Sequence, residues 1–177
     1  MAQKKSFSFK YIDFENIQNN HFSFTEEFRV DRINQNEELK TRRPDIVLFI
    51  NGIPIVVIEL KKSSKNYENG IKQLELEQRN DEIPNLFKFI QLGIAGNTNE
   101  AKYGTTGTAL KFYSLWKEEE QKYEKDLIKI VKNRNITFLD KTLFSLLKKE
   151  RLLKLVRHYI VFDKRVKKYV TINNFLQ

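Results

Sequence analysis

One stretch, RRPDIVLFINGIPIVVIELKK from Arg42 to Lys62, constrains the fold of this chain more than any other. Asp45–Ile50 and Ile53–Lys61 are β-branched runs separated by Asn51-Gly52, a strong short-range hairpin signal. Val47, Phe49 and Val57 fall on one face, and Ile46, Leu48, Ile50, Val56 and Ile58 make up the rest. Strands apolar on both sides belong in the middle of a sheet covered by helices. Pro54 has no N–H to offer a neighbouring strand, which predicts a bulge or a sheet margin at that end of the second strand.

Three charges interrupt this apolar run: Asp45 at the mouth of the first strand, and Glu59 and Lys61 at the end of the second. Burial at such a point is costly unless the groups are paired or bind an ion. Hydrolysis of a phosphodiester at neutral pH needs a Lewis acid on a phosphoryl oxygen and an activated water. Hard carboxylate oxygens hold Mg²⁺, which keeps several of its own waters. Asp45 and Glu59 are the expected metal ligands, with the Leu60 carbonyl, and Lys61 the expected positively charged stabiliser or proton acceptor. The competing reading is an Asp at a strand start and a solvent-exposed Glu and Lys at a strand end.

Register separates these readings. A two-residue Asn51-Gly52 turn with a regular ladder would set Asp45 opposite Ile58 and send Glu59 to the other face. A three-residue loop, Ile50-Asn51-Gly52 with Gly52 in the left-handed bulge position, would set Asp45 opposite Val57 and bring Glu59 diagonally beside it. The bulged loop is the expectation.

The remaining elements read more simply. Residues 6–30 are extended and irregular, with Phe22, Phe24 and Phe28 as inward anchors. A helix is expected over 67–79, with Tyr67, Ile71 and Leu74 as its core stripe and Gln73 and Glu77 together on a different face. Lys88–Ala95 reads as a third strand and Ala101–Thr105 as a short fourth strand or loop. From Leu110 the pattern turns helical, with amphipathic helices over Phe138–Leu147 and Arg151–Phe162. Leu143, Phe144, Leu147, Leu152, Leu155, Val156, Tyr159 and Ile160 are their inward residues, and Trp116 is a core residue.

The expected fold class is α/β, with a central sheet flanked by helices and a basic helical C-terminal part. Residues 1–110 hold 15 Lys/Arg and 15 Asp/Glu, whereas 111–177 hold 17 against 8, so the whole net charge of +9 lies in the last third. Such asymmetry suits a polyanionic partner or, equally, a solvated helical surface. There is no cysteine, which excludes disulfides and thiolate metal sites, and His21 and His158 have no zinc-ligand spacing. Without an apolar leader or a bilayer-length run, a soluble cytoplasmic protein with no membrane contact is the default expectation.

Pro44-Asp45 followed by Glu59-Leu60-Lys61 resembles the PD-(D/E)xK nuclease motif in order and spacing. More narrowly, RPDIVLFINGIPIVVIELK, Gln73, IPNLFKFIQLGIAGN, AKYGT and the Trp116 segment resemble the N-terminal nuclease region of the type I restriction enzyme R subunit. LLKLVRHYIVFDKRVKKYVTINNFLQ is similar to the stretch that precedes that family's helicase domains. The resemblance implies a mixed β-sheet of the PD-(D/E)xK type, in one domain over 1–177 with the site in 1–110. It further implies Mg²⁺-dependent cleavage of double-stranded DNA (Mn²⁺ substituting), alongside methyltransferase and specificity subunits, with ATP consumed only by helicase domains outside this chain. By position, Asp45 and Glu59 are then metal ligands and Lys61 the catalytic lysine. Gln73 matches the glutamine of the family's Q-x-x-x-Y motif, which supports the site and contacts DNA, while Glu77 replaces the tyrosine. Glu15, Glu26 and Glu27 are the upstream acids that could join the site, and Arg42, Arg43, Lys102 and Thr105 are candidate DNA contacts. The alternatives are a non-catalytic docking module of the same fold or a stand-alone nuclease.

Overall fold

The computed structural model describes residues 9–33, 41–117 and 124–161. In chain order its strands are β1 (Phe22–Glu26), β2 (Val30–Asp31), β3 (Thr41–Arg42), β4 (Ile46–Ile50), β5 (Ile53–Leu60), β6 (Leu92–Gly96), β7 (Ala101–Thr105) and β8 (Ser114–Leu115). β2 and β3 pair with each other, and the other six form one sheet in the order β1-β4-β5-β6-β7-β8. The sheet is mixed: β5 and β6 run parallel, and the remaining neighbours run antiparallel.

The central hairpin closes differently from the expected three-residue loop. Ile50 pairs with Ile53 across a two-residue turn, in which Asn51 (φ 53°) and Gly52 (φ 81°) both take left-handed backbone. That conformation matches the twist of the strands and is the one Asn-Gly favours. The extra residue lies inside β5 instead: Phe49 pairs with Pro54 and Leu48 with Val56, so Ile55 is the bulge. Pro54 sits beside it, as its missing donor requires. Ile55 and Val56 consequently turn to the same core face.

Helices cover both faces. α1 (Glu68–Glu77) and α2 (Pro84–Phe87) bridge the parallel pair, and Ile71, Leu74, Ile83, Leu86 and Phe87 pack with Val47 and Val57. On the opposite face lie α4 (Phe138–Leu146) and α5 (Lys149–Lys154), the latter running into a π-helical turn over Leu155–Tyr159, while α3 (Glu124–Val131) precedes α4 and packs against it. Leu146, Leu152, Leu153 and Leu155 of these elements bury against Ile50, Val56, Ile58, Leu92 and Ile94. α4 begins at a capping box, in which Thr137 accepts the Asp140 N–H and Asp140 accepts the Thr137 N–H.

Several expectations are corrected. Residues 110–116 are not helical: Leu110–Phe112 makes one 3-10 turn, and Ser114–Leu115 is captured by the edge of β7. Pro84 starts α2 at a position where its missing N–H is harmless, so the third strand begins only at Leu92. Phe22 and Phe28 pack inward, but Phe24 lies on the terminal strand and is 64% exposed. Tyr159 is likewise exposed, whereas Leu143, Leu147 and Val156 pack half-buried against the core as expected, beside the fully buried Thr142, Ser145 and Leu146. Trp116 is half-buried, edge-on to Tyr103, with its indole N–H donated to Ser145 at 2.8 Å. Phe162 and the basic tail lie outside the described residues.

Candidate functional site

Past the bulge, Ile46 pairs with Ile58, and one further step brings Asp45 level with Glu59. Val47 and Val57, two residues from each, both lie in the core under α1. Side chains alternate along a strand, so Asp45 and Glu59 leave the sheet on that same face. Asp45 Oδ2 accepts the Leu60 N–H at 2.6 Å, which ties the mouth of β4 to the end of β5. From the other side, the Glu27 N–H donates to the Asp45 carbonyl at 2.9 Å and the Phe28 N–H to the Pro44 carbonyl at 3.1 Å.

α1 crosses close to this point because Gly70 has no side chain. A Cβ there would lie 3.0 Å from Ala95 Cβ and 3.4 Å from Glu59 Cβ. The close approach delivers Gln73 to Lys61, whose Nζ donates to Gln73 Oε1 at 2.9 Å and stands 3.4 Å from Glu59 Oε2. Gln73 Nε2 donates onward to Glu77 Oε1 at 3.1 Å. A carboxylate, an ammonium, an amide and a second carboxylate thus form one chain from strand to helix.

The Glu59 side chain is 0% exposed, and its Oε1 has no hydrogen-bond partner among the described residues. Burial, reinforced by the negative charges of Glu77 and Asp45, lifts its pKa from 4.5 to about 8 against the pull of Lys61. Glu77 is also fully buried, with Oε2 unpartnered among the described residues. Burial raises its carboxyl as well, opposed by the Gln73 hydrogen bond and by Arg42. Lys61, between Glu59 and Gln73, is 21% exposed.

Among the described residues no group of three or more His, Cys, Asp or Glu is arranged to hold a metal ion. A divalent cation here would rest on Asp45, Glu59 and backbone, with water completing its shell. Hard cations such as Mg²⁺ accept that arrangement, and the unpartnered Glu59 Oε1 suits one.

The other candidates scatter. Arg42 packs its guanidinium on the buried Glu82, with Nε 2.7 Å from Oε2 and Nη2 2.9 Å from Oε1. Arg43 is exposed, 3.7 Å from Glu27. Lys102 lies on β7 with Nζ 5.1 Å from the Tyr67 ring centroid. Thr105, in the stretch expected as a short strand or loop, ends β7 at 2% exposure and shares its hydroxyl hydrogen bond with Thr108, so it faces inward rather than toward a ligand. Glu15 pairs with Arg157 at 2.6 Å, and Glu26 is exposed, so neither forms part of the Asp45–Glu59 cluster.

Glu77 is the residue the sequence reading placed wrongly, by setting it with Gln73 on a face apart from the core stripe, whereas it is fully buried. Gly70, Leu74 and Glu77 stand at i, i+4 and i+7 on the buried stripe of α1, and that spacing was the available signal. Glu82, held by Arg42 and by Arg32 at 3.0 Å, had no comparable sequence signal.

A family model described as the type I restriction enzyme R protein N terminus matches residues 2–112. The chain is 31% identical over 173 residues to the putative type I restriction enzyme MjaIXP endonuclease subunit of Methanocaldococcus jannaschii, covering 93% of this chain and 16% of that protein. It is 26% identical to the type I restriction enzyme HindI endonuclease subunit of Haemophilus influenzae, covering 88% of this chain and 14% of that protein. With the EcoprrI endonuclease subunit of Escherichia coli it shares 31% identity over 145 residues, which are 76% of this chain and 42% of that protein. The chain therefore spans less than half the length of these relatives, and about a sixth or less of the first two.

Proposed function

Because the chain belongs to the type I restriction enzyme R protein N-terminal family, we propose that it is the nuclease part of a restriction endonuclease subunit, cutting DNA phosphodiester bonds at Asp45, Glu59 and Lys61. The observation that carries this reading is the placement of Asp45 and Glu59 on one face beside Lys61, with a buried carboxylate oxygen left unpartnered among the described residues. The sheet is then of the PD-(D/E)xK type, with Pro44-Asp45 and Glu59-Leu60-Lys61 as its signature.

Asp45 and Glu59 would hold Mg²⁺ or Mn²⁺, together with the carbonyl of Leu60, which leaves the strand on the same edge as the N–H given to Asp45. When bound, the ion supplies Lewis acidity toward a phosphoryl oxygen. Lys61 places its ammonium where negative charge grows on the phosphate. Gln73 keeps that ammonium at 2.9 Å from its own amide oxygen, nearer than the 3.4 Å to Glu59. Asp45, fixed by the Leu60 N–H, prevents the two strand ends from separating. Double-stranded DNA is the substrate of this reading, and methyltransferase and specificity subunits are its partners. ATP hydrolysis belongs to helicase domains elsewhere, since this sequence carries no Walker-type glycine loop.

Thermal melting with increasing Mn²⁺ or Mg²⁺ tests the centre. The melting temperature should climb with concentration, reaching about 2.7 kcal/mol of added stability at roughly a hundredfold excess over Kd, and Asp45→Ala should abolish the gain. A flat wild-type titration removes the metal site. In the assembled, ATP-fuelled complex Lys61→Ala should slow cleavage by roughly 10²-fold or more, and full activity would remove Lys61 from the chemistry.

A further inference from the structure

We propose that Glu77 is a positioning residue whose buried carboxylate dictates which way the Gln73 amide faces, and through it where Lys61 stands. For its catalytic consequence this rests on the nuclease reading above. A lysine ammonium can only donate, so the oxygen of Gln73 must face Lys61, as it does at 2.9 Å. The amide NH₂ then needs an acceptor on the other side, and Glu77 Oε1 supplies it at 3.1 Å. Glu77 thereby anchors the amide with its oxygen turned to Lys61. Burying an acid costs free energy, yet this one is fully buried on the stripe of α1 that carries Gly70 and Leu74.

With the acceptor removed, the Gln73 side chain loses its anchor, and its amide oxygen is no longer held at Lys61. The ammonium, already shared with Glu59 Oε2 at 3.4 Å, then shifts further onto that carboxyl group, the one a cation would use. Glu77 thus keeps the Lys61 ammonium divided between Gln73 and Glu59. Groups that hold a ligand's neighbour in this manner commonly change metal affinity by about 10- to 100-fold when lost.

The test compares Glu77→Gln, which keeps an acceptor oxygen, with Glu77→Met, which does not. Glu77→Ala removes the acceptor without adding volume and serves if the Met variant fails to fold. In the metal-free chain, the Gln73 side-chain amide and Lys61 ammonium signals in ¹⁵N NMR should keep their positions and slow solvent exchange in the Gln variant. Both should be lost in the Met or Ala variant. Mn²⁺ titration calorimetry should show near wild-type affinity for Gln and roughly tenfold weaker binding for Met. A purely space-filling role for Glu77 predicts unchanged Gln73 signals in Met, and that result overturns the proposal, as does a Gln variant as defective as Met. If the wild type binds no Mn²⁺, the nuclease reading fails, while the metal-free NMR comparison still decides the role of Glu77.

Discussion

Glu59 is where the free-energy conflict of this chain is concentrated. Its carboxyl has a pKa of about 8 in the folded state against 4.5 as the ordinary value, chiefly through burial and then through Glu77 and Asp45. Below pH 4.5 both folded and unfolded chains carry the proton, and the group is neutral in the balance. Between 4.5 and about 8 the folded state binds more protons than the unfolded one, so stability falls as pH rises, then levels off. Glu59→Gln should remove that loss. In divalent-free buffer its melting temperature should match the wild type near the acid end and exceed it near pH 8, by on the order of a few kcal/mol in stability. A variant that is less stable than wild type at pH 8 would mean that the charged carboxylate has a compensating partner.

At the scale of elements, the approach of α1 to β5 and β6 is set by Gly70. A methyl group there gains up to about 1 kcal/mol of helix propensity. It must also push Ala95 or Glu59 aside from 3.0 and 3.4 Å, and overpacking of a close-packed layer costs about 1–3 kcal/mol. Gly70→Ala should therefore be mildly destabilising in urea unfolding, and Gly70→Val clearly so, with Gln73 drawn away from Lys61. Much of this layer was legible beforehand. The two apolar faces of β4 and β5 were readable from β-branched alternation, the helix carrying Gln73 from its 3.6-residue period, and the turn from Asn-Gly. The bulge was expected from a parity argument but assigned to the loop. Pro54 had already marked that end of β5 for a bulge, and Asn51-Gly52 suits a two-residue turn because both residues accept left-handed backbone; the loop assignment overrode both signals. The segment 110–116 was misread because Leu110, Tyr113 and Trp116 repeat with helical spacing, whereas strand capture by β7 is a long-range event.

Across the whole molecule, Glu82 joins parts far apart in sequence. Its carboxylate, 4% exposed, receives Arg32 from the β2 side and Arg42 from β3, and its carbonyl accepts the Ile33 N–H at 2.9 Å. Glu82→Leu takes the shared counter-charge from both guanidinia, and breaking a buried ion pair in this way costs about 3–5 kcal/mol. Chemical denaturation should show that loss, and a change under 1 kcal/mol would mean the cluster is not coupled to folding. No helix among the described residues is long and apolar enough to cross a membrane. The terminal position of β1 has its own consequence. Its outer backbone edge has no strand partner among the described residues, which makes it a template on which a strand from another molecule could form, and Phe24, 64% exposed, makes that rim adhesive. A lysine at position 24 should leave the unfolding midpoint nearly unchanged while raising the concentration at which light scattering first reports self-association.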